Sequence, residues 1–531
     1  MIAITAVAKH SPMSSTTPLR RGSSASLRLR HPWWGGGTGI GLLAAVLGSS
    51  PRASAQGFFN PFSEPGATLA FPVPQSGPFT ELPGTDGEAG DNFLIQGGLP
   101  YNPVVGRGAR QHYRLKLGRA TGSISTGVSL TYVDNANLVS TGAGGAPQSD
   151  LSITSSIGVG FNMPLDRDNT LQLNLGIGYS HHFNQNQPDQ LSISPTTQWD
   201  YRMNLGSVRL TVYDRVSTPG TVGPGAQISG SGSFDSINFH RLDNNIGMSA
   251  AWQQGKSTTY SAGYDLTTDI GLGDKFAQQD HLTHSLSLAL FERLDRRWTV
   301  GVSGSAYENQ FFERFQNDSQ GFGVGPTLTW QPTRRFNLSA STRYSLAVSK
   351  PTGVVADTRG FAGLTYDVNA EQYLTSRLAH GVGGGSHVDL GIGSNFAKTL
   401  TGNYHLSWRW SPRVAINFIS TYVGSGQSGT GYDFTPLPNG ALFIPGATPQ
   451  LLTATGITPL PTGTLLTPSG LLAQPRAAEE SQLLVFAPGV GFQVTDNLTA
   501  SLSYSYRVRL SNLSGHDYAQ NSVTGSLSYA F

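Results

Sequence analysis

Long stretches of the chain place apolar residues at every second position, and this alternation restricts the fold more than any other feature. It is clearest in residues 171–179, 282–290, 336–346 and 498–508. Successive side chains of an extended strand point to opposite faces, so each stretch has one apolar face and one face of Ser, Thr, Asn, Gly and Gln. Each stretch holds about ten residues, the length a tilted strand needs to cross a bilayer, whereas ordinary strands have about five or six.

A β-sandwich would show the same alternation with its apolar face turned inward, so the connections and the aromatic residues decide between the two folds. Short turns lie near 254–255, 294–296, 332–334, 411–413 and 496–497. Longer polar or Gly-rich connections lie near 134–149, 217–237, 267–280, 308–319, 381–397, 424–480 and 509–519. Short periplasmic turns and long outer loops are typical of a transmembrane barrel. Aromatic residues cluster near the strand ends, as an interfacial girdle requires: Trp199, Tyr201, Trp252, Trp298, Trp330, Trp408, Trp410, Tyr504 and Tyr506.

The predicted fold is therefore all-β, a transmembrane antiparallel up-and-down β-barrel of about 18 strands, with a range of about 16–20. Residues 113–117 are interpreted as an extension of the first strand or a periplasmic lead-in, because an even strand number leaves both termini in the periplasm. Charged residues make up 12% of the chain, about half the proportion in soluble proteins. Low charge without an apolar run of about 20 residues favours membrane strands over membrane helices.

The N-terminal residues predict export. A basic stretch at 20–30 precedes the short apolar run 39–47, and Ala53-Ser54-Ala55 follows as a small-residue cleavage site. A secretory signal peptide has these three parts in this order, here residues 1–55 with Ala53 and Ala55 at the cleavage site. Because the basic region is long, Met13 or a later residue is an alternative translation start. Residues 56–110 are rich in Pro and Gly and are expected to form an irregular periplasmic leader, and residues 111–531 the barrel.

The mature chain is expected to be slightly acidic. Without the six basic residues of 1–55, 28 basic residues face 32 acidic ones, so a nucleic-acid partner is not expected. The absence of Cys excludes disulfides, Cys-ligated zinc and thiol catalysis.

The last strand, Val523-x-Gly525-x-Leu527-x-Tyr529-x-Phe531, resembles the C-terminal signal that the barrel assembly machinery of Gram-negative bacteria reads. Tyr529 and Phe531 carry this assembly signal. The chain as a whole resembles poorly characterised porin-like barrels, in which a first membrane strand often closes on Tyr-x-Asp-Asn, here Tyr132-Val133-Asp134-Asn135. The resemblance implies an outer-membrane location, lipid and the assembly machinery as partners, and porin-type function with no particular solute.

If the apolar parity faces lipid, the opposite parity faces a water-filled lumen. The candidate pore-lining residues are Arg202, Arg209, Arg215, Arg343, Arg409, Arg507, Arg509, His405, Asp243, Asp265 and Asp367. A ladder of basic residues would favour anionic solutes by raising their local concentration. The alternative is that the arginines pair with carboxylates and serve the structure alone.

The loop 424–480 is unusual because it combines many Pro, Gly and Thr residues with apolar clusters at 441–444, 451–452 and 471–472. Long loops of this kind are usually functional or disordered. One hypothesis is a constriction or lid over the pore, and the other is a surface loop packed on its neighbours.

No cofactor, metal site or catalytic residue is predicted. His281 and His284 fall on opposite faces of a strand, the pair His181-His182 lacks a helical metal motif, and no G-x-S-x-G elbow occurs. The favoured function is a porin-like channel for passive diffusion of small hydrophilic solutes. Two alternatives stay open: a dedicated export or uptake barrel, for example for a polysaccharide, and a non-conducting surface structural or adhesion barrel.

Overall fold

A computed structural model describes residues 115–136, 146–184, 189–194, 197–218, 241–272, 280–353, 359–390, 395–429, 431–438, 440–453, 456–467 and 470–531. In chain order the strands are β1 (Leu115–Leu117), β2 (Ala120–Val133), β3 (Asp150–Pro164), β4 (Asn169–His182), β5 (Gln190–Ile193), β6 (Gln198–Leu205), β7 (Val208–Ser217), β8 (Arg241–Gln254), β9 (Thr258–Gly271), β10 (His281–Arg293), β11 (Trp298–Phe311), β12 (Ser319–Thr333), β13 (Phe336–Ser349), β14 (Phe361–Tyr373), β15 (Leu378–Leu390), β16 (Phe396–Ser411), β17 (Val414–Gln427), β18 (Gly431–Pro436), β19 (Leu442–Ile444), β20 (Gln450–Thr453), β21 (Gly456–Pro459), β22 (Leu465–Leu466), β23 (Leu471–Arg476), β24 (Glu480–Gln493), β25 (Leu498–Ser511) and β26 (Tyr518–Ala530). Across these residues, no helix is long and apolar enough to span a membrane.

Eighteen antiparallel barrel strands form one closed sheet, which confirms the predicted fold and strand number. They are β2 to β4, the interrupted strand β5/β6, β7 to β17, and β24 to β26. The sheet closes where β2 pairs with β26, with Tyr132 opposite Val523. Beyond these strands, the Asp134 carboxylate accepts hydrogen bonds from the Asn521 backbone N–H at 2.7 Å and side-chain amide at 2.6 Å. This contact joins the first and last strands at their loop ends.

The fourth barrel strand is interrupted between β5 and β6. β4 pairs with both pieces, with Tyr179 opposite Leu191 and Leu173 opposite Trp199. The Thr197 hydroxyl bridges the interruption, because it accepts a hydrogen bond from the Gly176 N–H at 3.0 Å. The sheet therefore stays continuous although the strand does not.

Residues 115–117 do not extend the first strand in a straight line. They form β1, which folds back onto the start of β2 through Gly118, whose φ of 65° favours glycine. Three parts of the sequence prediction lie outside the described residues: residues 113 and 114, the signal peptide with Ala53 and Ala55, and the leader 56–110.

The connections follow the predicted asymmetry with one clear difference. Short turns join the strands at the predicted sites and also at 165–168, 206–207 and 374–377. The Gly-rich residues 381–390 were expected to lie in a loop, but they belong to β15. A Cβ at Gly383 would overlap the side chains of Asn369 and Asn403 on the two neighbouring strands, so glycine at this position leaves room for both side chains on the inner face of the barrel.

The outward face is apolar, as the alternation predicts. Ile177, Val302 and Leu364 are 53%, 52% and 65% exposed. On the last strand, Val523, Leu527 and Phe531 are also exposed, whereas the inward Thr524 hydroxyl contacts the Thr131 hydroxyl at 3.0 Å. Exposed apolar rows of this extent suit a lipid environment.

Aromatic side chains pair on the outward face at the short-turn end of the barrel. Trp298 and Trp330 are stacked with ring centroids 5.4 Å apart, and Trp252 and Tyr260 with centroids 4.8 Å apart. Trp408 and Trp410 stack at 5.7 Å. Rings of this type favour the headgroup region, so they mark the periplasmic edge of the membrane.

The two faces of β4 should differ sharply in their tolerance of charge. Leu175, 46% exposed on the outward face, lies near the middle of the strand, and Asn174 is its inward neighbour. We expect Leu175→Arg to lower the free energy of unfolding by about 2–4 kcal/mol, because the guanidinium would enter hydrocarbon. Asn174→Arg is the matched control and should cost much less. Urea unfolding in phospholipid vesicles measures both, and equal losses would contradict the assignment of faces.

Candidate functional site: the barrel lumen and its outer mouth

The strand register places every candidate pore-lining residue on the inward face. Arg343 lies between the outward Thr342 and Tyr344, and Arg507 between the outward Tyr506 and Val508. The same parity applies to the remaining candidates: Arg202, Arg209, Arg215, Arg409, Arg509, His405, Asp243, Asp265 and Asp367. The wall between these charges consists largely of Ser, Thr, Asn and Gly.

The candidates lie at three levels of the lumen rather than at one rim. Arg202, Arg209 and Arg409 are close to the short turns, at the periplasmic end. His405, Arg215, Arg343, Asp265 and Asp367 lie further along their strands, and Asp243, Arg507 and Arg509 lie near the outer loops. The basic side chains therefore extend through the length of the barrel.

A cluster on β6 to β9 pairs several of these charges. The Tyr213 hydroxyl donates a hydrogen bond to the Asp265 carboxylate, and the Arg215 guanidinium lies 4.3 Å from the centroid of the Tyr213 ring. Arg202 approaches Asp200 at 3.6 Å. The Tyr213 ring passes over Gly247, where an added Cβ would be 2.6 Å from the ring. The glycine thus lets Tyr213 reach Asp265 along the wall.

A second group spans β11 to β16. The Arg343 Nε donates to the Ser303 hydroxyl at 3.4 Å, and His387 lies 3.3 Å from the Asp367 carboxylate. His405 lies over Gly381, where a Cβ would be 2.2 Å from its ring. Glycines on the inward face again allow longer side chains from neighbouring strands to lie against the wall.

A third group lies near the outer end, and sequence reasoning missed most of it. Arg241 contacts Asp243 at 2.8 Å, and His281 contacts Asp269 at 3.1 Å. Glu479, just before β24, is buried and accepts hydrogen bonds from Arg509 at 2.9 Å and Ser511 at 2.8 Å. Glu479 escaped notice because it ends a long loop, where sequence periodicity gives no orientation.

The long outer loop is folded and is attached to a neighbouring loop. It runs from 428 to 479 and contains two three-stranded sheets, β18–β23–β22 and β19–β20–β21. Phe315, fully buried in the β11–β12 loop, packs edge-on against Tyr432 with centroids 5.6 Å apart, and Ala473 and Leu465 complete the cluster. Three residues of the long loop thus share a small core with Phe315 of the β11–β12 loop.

Polar contacts tie further loops into this assembly. The Asn317 amide donates to the Asn395 side-chain oxygen at 3.3 Å, and the Gly353 N–H donates to the Asn317 side-chain oxygen at 3.0 Å. Asn317, Gly353 and Asn395 come from three different outer connections. We call the described loop residues 312–318, 350–353, 395 and 431–476 the loop assembly.

The two histidine pairs divide between the faces. His281 is inward and paired with Asp269, whereas His284 is outward and bonded to Tyr264 at 2.8 Å. His182 contacts Asp150 at 2.7 Å, and His181 contacts Asp189 at 2.8 Å. Hydrogen bonds from Tyr179 and His181 lower the pKa of the Asp189 carboxyl to about 2. No group of three or more His, Asp or Glu residues suited to a metal ion occurs in the described segments.

Comparisons with known proteins find similarity among solved structures. No family model matches the chain, and no curated protein matches it. Among solved structures, it is similar to Pseudomonas aeruginosa OccK5 (OpdH), with 10% identity over 78% of this chain and 99% of that chain and a TM-score of 0.39. It is also similar to P. aeruginosa OccK2 (OpdF) in complex with glucuronate, with 8% identity over 77% of this chain and 98% of that chain and a TM-score of 0.40. Acinetobacter baumannii OccAB3 is a third similar structure, with 8% identity over 77% of this chain and 99% of that chain and a TM-score of 0.38.

The fold is that of a porin-like outer-membrane β-barrel. The closed strand pairing, the apolar outward face and the polar inward face of the chain itself carry this assignment. The predicted resemblance to porin-like barrels is confirmed at the level of fold.

The Phe315 contact should control how firmly the loop assembly is held. Phe315→Ala removes a fully buried ring, a change that costs about 3–5 kcal/mol in packed cores. We expect faster protease cleavage within 431–476 in intact cells. Phe312→Ala is the matched control, because Phe312 lies in the same connection but is 54% exposed. Equal cleavage rates in both variants would show that the contact does not hold the loop.

Proposed function

We propose that the chain forms a water-filled channel in the outer membrane of a Gram-negative bacterium, through which small hydrophilic solutes diffuse passively. The division of the barrel into an apolar outer face and an inner face of Ser, Thr, Asn, Gly and charged residues supports this proposal. Such a lumen hydrates readily, and hydrated charges inside a barrel cost little. Signal-directed export and insertion by the barrel assembly machinery are part of the same proposal.

The charge pattern of the wall supports weak selectivity. Arg202, Arg343 and Arg509 lie near Asp200, Asp367 and Glu479, respectively. An acidic neighbour cancels much of the field that an arginine projects into the pore. We therefore propose that most of these arginines stabilise the wall. Arg202 keeps part of its field despite Asp200 because its side chain is 52% exposed, and we propose that Arg202 and the partly exposed Arg409 at the periplasmic end contribute most to any preference for anions.

The loop assembly is proposed as a fixed outer constriction. Its attachment through Phe315 and Asn317 supports a folded, fixed cover rather than a freely moving segment. This interpretation develops the lid hypothesis for the loop 424–480. A surface loop that packs on its neighbours without narrowing the pore is the alternative.

Conductance of the full mature chain in planar bilayers tests the proposed function directly. A conductance typical of a water-filled pore is expected. Its absence would favour a non-conducting structural or adhesion barrel, and steep blockade by one solute class would favour a dedicated export or uptake barrel. The comparisons and the sequence offer no reaction for this barrel, so the absence of enzyme activity stays a prediction.

Deletion of 430–475 tests the constriction. If the loop assembly narrows the outer mouth, single-channel conductance should rise in the deletion variant. Unchanged conductance, with the barrel folded as judged by heat-modifiable migration in gels, would refute the constriction while leaving the channel intact.

The periplasmic-end arginines can be tested separately. We expect the double variant Arg202→Gln and Arg409→Gln to move the reversal potential in a salt gradient toward cation preference, by about twofold in permeability ratio or less because salt screens exposed charges. Arg413→Gln is the control, since Arg413 lies in the turn after β16. An identical shift in the control would contradict a role for the lumen side chains.

A further inference from the structure

The turns at the short-turn end of the barrel differ sharply in charge. Four successive turns, which join β10 to β11, β12 to β13, β14 to β15 and β16 to β17, carry six arginines and one carboxylate, Asp295. The other turns at this end, 118–119, 165–168, 206–207, 255–257 and 494–497, hold three basic and three acidic residues. Positive charge is therefore concentrated on one side of the ring. We call the six arginines the basic arc: Arg296, Arg297, Arg334, Arg335, Arg377 and Arg413.

The basic arc is exposed and has no counter-charge within the described barrel. All six arginines are exposed to solvent. Among the residues that the structure describes, none of the six side chains forms an ion pair with a carboxylate. The Asp295 carboxylate accepts hydrogen bonds from the backbone N–H groups of Arg297 at 2.6 Å and Trp298 at 2.8 Å. It therefore closes its own turn rather than pairing with an arginine side chain.

The leader that precedes the barrel has the opposite charge. Residues 56–106 contain five acidic residues and no basic residue. Four of the five, Glu81, Asp86, Glu88 and Asp91, lie within the eleven residues 81–91, which we call the acidic stretch. Basic residues return only from Arg107 onward. The chain thus places a concentrated acidic segment before a barrel with a concentrated basic surface.

The short strand β1 determines where the leader joins the barrel. Leu115 lies opposite Gly122 at the start of β2, and Leu117 opposite Ala120. The adjoining part of the same β2 edge pairs with the C-terminus, because the Phe531 N–H donates to the Ile124 carbonyl at 2.8 Å. The leader is therefore attached at the short-turn end, on the side of the membrane where the basic arc lies.

The acidic stretch is close enough in sequence to reach the basic arc. The 23 residues 92–114 connect it to β1. A chain of that length has an end-to-end distance of about 27 Å as a random coil and spans about 75 Å at most. A ring of 18 strands, with strands spaced by about 4.8 Å and tilted by about 40°, is about 36 Å across. Every arginine of the basic arc is thus within reach.

Charge and attachment together decide which occupant fits the basic arc best. Guanidinium groups bind carboxylates through paired, charge-assisted hydrogen bonds. A segment of the same chain meets its site at an effective concentration in the millimolar range, so that weak exposed pairs suffice to hold it. Anionic phospholipid headgroups are also attracted to exposed arginines. However, Arg409 continues the positive charge from Arg413 into the lumen, where the leader can follow it and lipid of the surrounding bilayer cannot.

We propose that the acidic stretch 81–91 of the leader binds the basic arc of its own barrel. The carboxylates of the stretch then supply the counter-charges that the turns from β10 to β17 lack. The interaction requires neither a particular solute nor an open pore, so it stands apart from the proposed channel.

Cross-linking within the full mature chain tests this contact. The protein has no Cys, so Gly87→Cys in the acidic stretch and Ser376→Cys beside Arg377 introduce its only two thiols. A bis-maleimide reagent should join them at high dilution, and mass spectrometry of the digested protein identifies the joined peptides. The matched control adds E81Q/D86N/E88Q/D91N, which keeps the tether and both thiols but removes four charges. We expect at least about fivefold less cross-linking in the control, because exposed ion pairs contribute up to about 1 kcal/mol each. Equal yields, or no cross-link in the parent, would overturn the proposal.

Charge reversal on both sides tests whether the two segments touch directly. With the same two thiols, R334E/R335E should reduce the cross-link, because the acidic stretch then meets like charge. Adding E88K/D91K to that variant should restore it. R167E/K256E is the matched control, since it reverses two exposed charges in turns outside the basic arc and should leave the yield unchanged. Failure of the double reversal to restore the cross-link, or an equal loss in the control, would contradict direct contact with the basic arc.

The same variants distinguish the leader from lipid as the occupant. If anionic phospholipid covers the basic arc instead, native mass spectrometry should find phosphatidylglycerol bound to the parent and lost from R334E/R335E, while cross-linking ignores the charges of the leader. That combination would refute the leader as the occupant and leave the proposed channel untouched, because conductance is measured separately. Should a turn variant fail to fold, the neutralised leader still decides, since it leaves the barrel sequence intact.

Discussion

Closure of the sheet between β2 and β26 is the constraint on which the rest of the structure depends. An open edge in hydrocarbon would leave backbone N–H and C=O groups without partners, at several kcal/mol for each group. Pairing along 125–133 removes that edge, and Asp134 and Asn521 secure its loop end. Once the ring is closed, each strand has one face toward lipid and one toward the lumen. Every inference about function follows from this division of faces.

The inner wall shows how a barrel holds charges without a conventional core. Glycines such as Gly247 and Gly381 leave room for the side chains of Tyr213 and His405 from neighbouring strands. Arg202, Arg343 and Arg509 lie near carboxylates of the wall, so much of their charge is compensated locally. The same pairing that stabilises the wall limits how strongly it can select solutes.

The outer face and the outer loops depart from the simple barrel in different ways. The loop assembly builds a small core in which Phe315 packs against Tyr432, Ala473 and Leu465, whereas Leu442, Leu452 and Leu466 of the same connection stay exposed. Outward polar residues, among them Asp214, Asn244 and Glu308, break the apolar exterior on β7 to β11, where a purely lipid-facing surface would carry Leu, Ile and Val.

The sequence by itself determined the fold class, a strand number of about 18 and the apolar face of its most regular strands, because a period of two is a local property of extended chain. It predicted 381–397 as a loop, because glycine weakens the sequence signal for a strand. Only the pairing of β15 with β14 and β16 shows that these glycines leave room on the lumen wall for longer side chains of the neighbouring strands. Partners across strands, such as Glu479 with Arg509, Phe315 with Tyr432 and Asp134 with Asn521, were beyond sequence reasoning. Those contacts depend on register and on loop packing, which join residues 30 to 387 positions apart. Periodicity along one strand carries no information about which residue of another strand stands beside it, so tertiary structure alone decided them.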